Sequence, residues 1–253
     1  MDVEEGIART ARRLSALSGE GETLEAMRAT GVCGFTVCAP RGADLPQRAI
    51  REALDGVLRL GYPTALYQLP QITENEIAPE TFSALTAAYP NFYLFKDTSG
   101  TDAVVLSGAD RYGVYTVRGG EGDYDRWYPA DASGGGARYD GFLLGSANCF
   151  ARELRSLLGH IDAGEKAAAA DLSRKLSRVV VEGIAAASPL PFGNAFANSN
   201  KAFDHYFAFG PGAGRVEPPM THSGKRLPEA LVLEAGALLE REGLMPERGY
   251  LES

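Results

Sequence analysis

The sequence predicts an α/β fold built on a parallel sheet. Short apolar runs alternate with stretches of helical spacing as far as the GFLL run at 141–144, the pattern of successive βα units. Beyond that point the chain reads as almost entirely helical. Its 253 residues, 45% hydrophobic and 23% charged, have the composition of a globular protein with one large or two small cores.

The elements follow in order. A first helix opens at Asp2 as N-cap, with Glu4 and Glu5 in its first turn and Val3, Ile7, Ala11 and Leu14 at helical spacing. Residues 14–18 (LSALS) either finish that helix or form a short strand before the Gly19-Glu20-Gly21 turn. Residues 23–30 are helical again. Residues 34–39 (GFTVCA) form a buried strand stopped by Pro40. Residues 46–60 form a helix with Ile50, Ala53, Leu54, Val57 and Leu58 on one face. The next strand is 64–69 (TALYQL). Pro79 starts a helix, where its missing N–H costs nothing, and Phe82, Leu85 and Ala88 form its stripe. Strands follow at 92–96 (FYLFK), at 114–117 before a Gly119-Gly120-Glu121-Gly122 loop, and at 141–144 before Gly145-Ser146-Ala147-Asn148. The helices of the last part are 150–161, 165–187, 195–209 and 228–241, with plain loops at 133–136 and 210–214.

Charge and composition exclude several function classes. With 25 Lys+Arg against 33 Asp+Glu the net charge is −8, which disfavours a nucleic-acid surface. No apolar stretch reaches the ~18 residues of a membrane helix, and the acidic start MDVEEGIART lacks the apolar core of a secretory signal. Cys33, Cys38 and Cys149 lack metal-site spacing and read as free thiols in a reducing, cytoplasmic setting. His160, His205 and His222 are scattered, so no metal is expected. The Gly119–Gly122 loop could hold a phosphate on its N–H groups, but no Lys-Ser/Thr follows to make it a P-loop.

The chemistry centres on Lys96, at the C-terminal end of a very apolar strand. Strand side chains alternate, so Phe92, Leu94 and Lys96 are expected on one face. A lysine held there loses hydration, its pKa falls, and the neutral amine becomes a nucleophile for a ketone. By the same count Ala65, Tyr67 and Leu69 share a face one strand earlier. If the two strands are parallel neighbours, Tyr67 stands level with Lys96, where a phenol can move protons. The competing readings are a solvated lysine at a strand end and a core tyrosine with its hydroxyl satisfied.

At this point LYQLPQIT (66–73), FKDTSG (95–100) and YDGFLLGSAN (139–148), in this order and spacing, resemble the dihydrodipicolinate synthase/N-acetylneuraminate lyase family of Schiff-base aldolases and dehydratases. GETLEAMRATGVCGFTVCAP (21–40) and NKAF (200–203) extend the likeness over most of residues 1–210. The resemblance implies a (β/α)8 TIM barrel with a helical C-terminal extension. It divides the chain into a partial barrel at 1–160 and an extension at 161–253, packed as one unit. It makes Lys96 the Schiff-base lysine and Tyr67 the proton relay, with Thr73, Gly120 and Leu143 at substrate-binding positions. Asn148, at a strand end, either meets substrate or caps the next helix. No cofactor is implied. The implied partner is a 2-oxo acid such as pyruvate or a 2-oxo-3-deoxy sugar acid, and the assembly a homo-oligomer, dimer or tetramer.

Three departures from the family pattern shape the expectation. The first barrel strands and the Gly-Thr/Ser-Thr-Gly-Glu carboxylate loop have no counterpart, which leaves an N-terminally truncated barrel of about six strands out of eight. Ile72 stands where dihydrodipicolinate synthases carry Arg. Arg41-Gly42-Ala43 replaces their aromatic-rich segment. A lyase acting on 2-oxo-3-deoxy acids is therefore favoured over dihydrodipicolinate synthase proper and over a non-catalytic remnant of the family.

Overall fold

The computed structural model describes residues 3–20, 23–128 and 138–251. The expected N-cap Asp2, Gly21 of the first turn and the loop at 133–136 lie outside the described residues. The chain divides into two compact units. The first holds the described residues through 120 together with 138–142; the second holds 121–128 and 143–251. This division falls at other residues than the 160/161 boundary expected from the sequence.

The first unit is a five-stranded, wholly parallel sheet in sequential order: β1 (Phe35–Cys38), β2 (Thr64–Gln68), β3 (Phe92–Asp97), β4 (Tyr115–Arg118) and β5 (Gly141–Phe142). Its helices are α1 (Val3–Ser18), α2 (Thr23–Ala29), α3 (Gln47–Leu58), α4 (Pro70–Thr73), α5 (Pro79–Ala88) and α6 (Ala103–Leu106). Residues 14–18 finish α1, so the candidate sixth strand is helix, and five strands stand among the described residues.

The sheet has two faces, set by alternation. Val37, Leu66 and Phe95 pair in register across β1, β2 and β3 and are all buried. They meet Ile50, Leu54, Phe82 and Leu85 of α3 and α5 in one core cluster. One residue further on, Cys38, Tyr67, Lys96 and Val117 form a register row that points the other way. The next row, Gln68, Asp97, Arg118 and Phe142, returns to the helix side.

Phe92 corrects the expected alternation. The β2–β3 register shifts between Thr64 and Ala65, which pair with Phe92 and Leu94 and leave Tyr93 over. A bulge of this kind turns the strand. Phe92 and Phe95 consequently both pack on Phe82, at 5.8 and 5.0 Å between ring centroids. Leu94 and Lys96 still alternate with Phe95; Phe92 does not share their face.

In the second unit α7 (Tyr124–Trp127) precedes α8 (Ala147–Asp162), α9 (Lys166–Ala187), α10 (Ala195–Phe209) and α11 (Glu229–Arg241). Residues 210–214, expected as plain loop, lie in a 3-10 helix over Gly210–Arg215. The Asn194 side chain caps α10 by accepting from the Phe196 and Ala197 N–H groups. Phe150, where α8 kinks, packs on Phe203 and Phe207. Gly183 lets α9 approach α10 closely, since a Cβ there would lie 2.5 Å from the Phe203 ring. Among the described residues no helix is long and apolar enough to cross a membrane.

Candidate active site

Lys96 and Tyr67 are register partners on adjacent parallel strands. The Lys96 Nζ lies 4.4 Å from the Tyr67 ring centroid, over the ring face. Both side chains are half-buried. Among the described residues Lys96 makes no ion pair. Its cationic form is held by the ring quadrupole instead, which is weaker than a carboxylate and leaves the amine accessible. Cys38 completes the row beyond Tyr67. Burial pushes its thiol pKa up, and the nearby Lys96 charge opposes the shift.

A glycine closes this site on the β4 side. The Gly119 N–H donates to the Asp97 carbonyl at 2.6 Å, which folds the loop after β4 against the end of β3. A Cβ on Gly119 would sit 2.7 Å from the Lys96 Cε and would also collide with the Thr98 hydroxyl. Only a bare α-carbon fits beside the lysine stem. The Thr98 hydroxyl is buried at this spot with no hydrogen-bond partner among the described residues. A buried unsatisfied hydroxyl is costly in an empty site and useful in an occupied one.

Behind the lysine, on the opposite face, lies a dense polar network. The Asp97 carboxylate accepts from the Ser99 N–H at 2.9 Å, the Ser99 hydroxyl at 2.6 Å and the Gln68 amide at 3.3 Å. The Tyr139 hydroxyl lies 3.1 Å from Asp97 and 2.7 Å from Asp102. Arg118 forks onto Asp102 through Nε at 2.9 Å and Nη2 at 3.1 Å, and its Nη1 donates to the Gly120 carbonyl at 2.8 Å. Arg118 and Asp102 are only 6% and 3% exposed. Burial, with Asp97 and Asp102 beside it, pushes the Tyr139 pKa strongly up.

The remaining expected site residues fall as follows. The Thr73 hydroxyl is buried and directed at the Leu69 and Asn75 carbonyls at 3.1 and 2.9 Å, so it shapes the turn after β2. Gly120 follows Gly119 and offers its carbonyl to Arg118. Ile72, in α4, is 62% exposed. Leu143 and Asn148 belong to the second unit. Leu143 is exposed, and the Asn148 amide donates to the Gly145 carbonyl at 2.9 Å, bridging the turn into α8. In that unit the Glu121 carboxylate accepts from the Ser146 N–H, the Ser146 hydroxyl and the Tyr124 hydroxyl.

Sequence reasoning gave no site role to Thr98, Asp102, Arg118 and Tyr139, and read Gly119 only as part of a loop that could hold a phosphate. The signal for Gly119 was present, because a Gly-Gly pair directly after a strand marks close backbone approach. Arg118 carried one too: a charged residue closing an apolar strand needs a partner once buried.

Comparison with known proteins extends this picture. The family model described as "Dihydrodipicolinate synthetase family" matches residues 7–199. No curated protein matches the chain at a significant level. Among solved structures, dihydrodipicolinate synthase from Thermotoga maritima is 18% identical with a TM-score of 0.59, covering 88% of this chain and 72% of that one. YagE from Escherichia coli, a prophage protein of the same family solved with pyruvate, is 19% identical with a TM-score of 0.60, covering 92% and 72%. A variant 2-keto-3-deoxygluconate aldolase from Sulfolobus solfataricus, also a pyruvate complex, is 14% identical with a TM-score of 0.61, covering 86% and 69%. At these identities the likeness establishes the fold: the parallel sheet belongs to a β/α barrel, followed by C-terminal helices.

Proposed function

The chain belongs to the dihydrodipicolinate synthetase family, and from that premise we propose that it is a Schiff-base-forming lyase of the class I aldolase type acting on a 2-oxo acid. The observation that carries this reading is the half-buried Lys96 amine packed over the Tyr67 ring at a strand end.

The proposed chemistry runs through Lys96. Its neutral amine adds to the keto carbon of pyruvate or a 2-oxo-3-deoxy acid, and loss of water from the carbinolamine gives the imine. The imine nitrogen accepts the electron pair released when the carbon–carbon bond β to it breaks; in a dehydratase it accepts the pair left when a proton is taken from the adjacent carbon, and the resulting enamine returns that pair as the β-hydroxyl leaves, protonated, as water. Tyr67 carries protons to and from the carbinolamine oxygen and the departing group. The orphaned Thr98 hydroxyl supplies a hydrogen bond to a substrate oxygen beside Lys96. Ile72, exposed and uncharged, offers no counterion for a second carboxylate. This favours a sugar-acid substrate over the dicarboxylate of dihydrodipicolinate synthase proper.

The test is imine trapping. Pyruvate with borohydride reduces a Lys96 imine to a stable secondary amine, which adds a reduced pyruvate to the protein mass. Lys96→Ala abolishes the adduct on this reading. An unchanged mass of the unsubstituted protein with every 2-oxo acid tried rejects it.

A further inference from the structure

The buried network behind the sheet connects to the lysine through the loop that walls it. Resting on the assignment of Lys96 above, we propose that Arg118 is a positioning residue for the Schiff-base amine. Its guanidinium fixes the 119–120 turn, and so the path of the Lys96 side chain.

Three observations join to make the argument. First, Arg118 is the register partner of Asp97, the residue after Lys96, so its backbone is tied to the end of β3. Second, Gly119 is held from both sides. Its N–H donates to the Asp97 carbonyl, and the next residue's carbonyl accepts from Arg118 Nη1. Third, the held Cα leaves no room for a side chain beside the Lys96 Cε, which a Gly119 Cβ would approach to 2.7 Å. A shift of the turn is therefore felt directly by the lysine stem.

The geometry suits arginine alone. One edge of the guanidinium forks onto both Asp102 oxygens while the remaining nitrogen reaches Gly120. A lysine carries a single point charge and cannot serve both ends. Asp102 is itself rigidly set. It has a left-handed φ of 54° at the start of α6, and its carboxylate also receives the Tyr139 hydroxyl at 2.7 Å. A strained residue persists where its surroundings over-determine it. The far end of the device is thus anchored, and the near end is the Gly120 carbonyl. Arg118 is 5% exposed and lies in the row that alternates with Lys96, so it acts through the turn and not on substrate.

The experiment compares imine trapping by the unsubstituted protein and Arg118→Lys over a range of pyruvate concentrations, well below the Tm of both. The expected result is a trapping rate at saturating pyruvate reduced about tenfold or more, with the half-saturating concentration within about twofold, since the amine is misplaced while the bound acid is not. Near-unchanged circular dichroism shows that the fold remains. A folded Arg118→Lys that traps at the original rate overturns the inference, as does a loss confined to the half-saturating concentration. If Arg118→Lys fails to fold, Asp102→Asn carries the same test by the same two results. It keeps the shape of the carboxylate and weakens the fork. An unsubstituted protein that traps nothing overturns the lyase reading and this inference together, which separates that failure from a failure of Arg118 alone.

Discussion

Lys96 and Asp97 are chain neighbours on β3 whose side chains point to opposite faces of the sheet. On one face, Lys96 touches only an aromatic ring by any strong polar interaction among the described residues, and an unsatisfied hydroxyl from Thr98 lies nearby. On the other, Asp97, Asp102 and Arg118 are buried in a network of hydrogen bonds and a forked ion pair. The difference teaches how the strand end divides its labour. The satisfied face is rigid because a buried charge network with all members paired has few alternative arrangements. The unsatisfied face is available for chemistry because its groups still lack partners. Alternation places the two only one residue apart.

Substitutions on each face should break in different ways. Tyr67→Phe leaves the ring beneath Lys96 and removes the phenol, so imine trapping should fall by about 10²–10⁴-fold with little change in Tm. An equal loss of stability and rate would erase the distinction between the faces. Arg118→Ala leaves two carboxylates buried beside a cavity and should cost about 3–5 kcal/mol in urea denaturation. A loss below ~1 kcal/mol would place that pair among surface ion pairs. Ser99→Ala removes one of several donors to Asp97 and should cost only about 1.5 kcal/mol by the same measurement.

The last effect, absent at neutral pH, concerns a thiol in the second unit, and it sharpens the contrast by giving an inert reference. Burial raises Cys149 from 9.0 to about 12, and its Sγ–H donates to the Asn200 carbonyl at 2.9 Å. A raised native pKa means the folded state holds the proton longer than the unfolded chain. Its contribution is intact below about pH 9 and is lost between there and about pH 12, at about 1.4 kcal/mol per pH unit. Cys149→Ala should lack that slope while matching the unsubstituted protein's pH dependence at neutral pH. Identical alkaline slopes in the two proteins would refute the assignment.

Much of this arrangement was legible in the sequence. Period-two alternation in TALYQ and FYLFK, with the rule that successive βα strands lie side by side, was enough to set Tyr67 level with Lys96. The bulge at Tyr93 was not legible, because it arises from the register between two strands and not from either alone. Nor was the Asp102–Arg118 pair. Those residues are 16 positions apart and meet only because Asp102 turns left-handed as α6 begins. The strand candidate at 14–18 failed for an ordinary reason: LSALS fits either period, and the chain continued the helix already begun.

The most direct measurement of the central claim is peptide mapping of the protein after treatment with pyruvate and borohydride. The account predicts a reduced pyruvate adduct on the peptide containing Lys96, and on that lysine within it. No adduct, or an adduct carried by Lys166, Lys175, Lys201 or Lys225 with Lys96 unmodified, would contradict it.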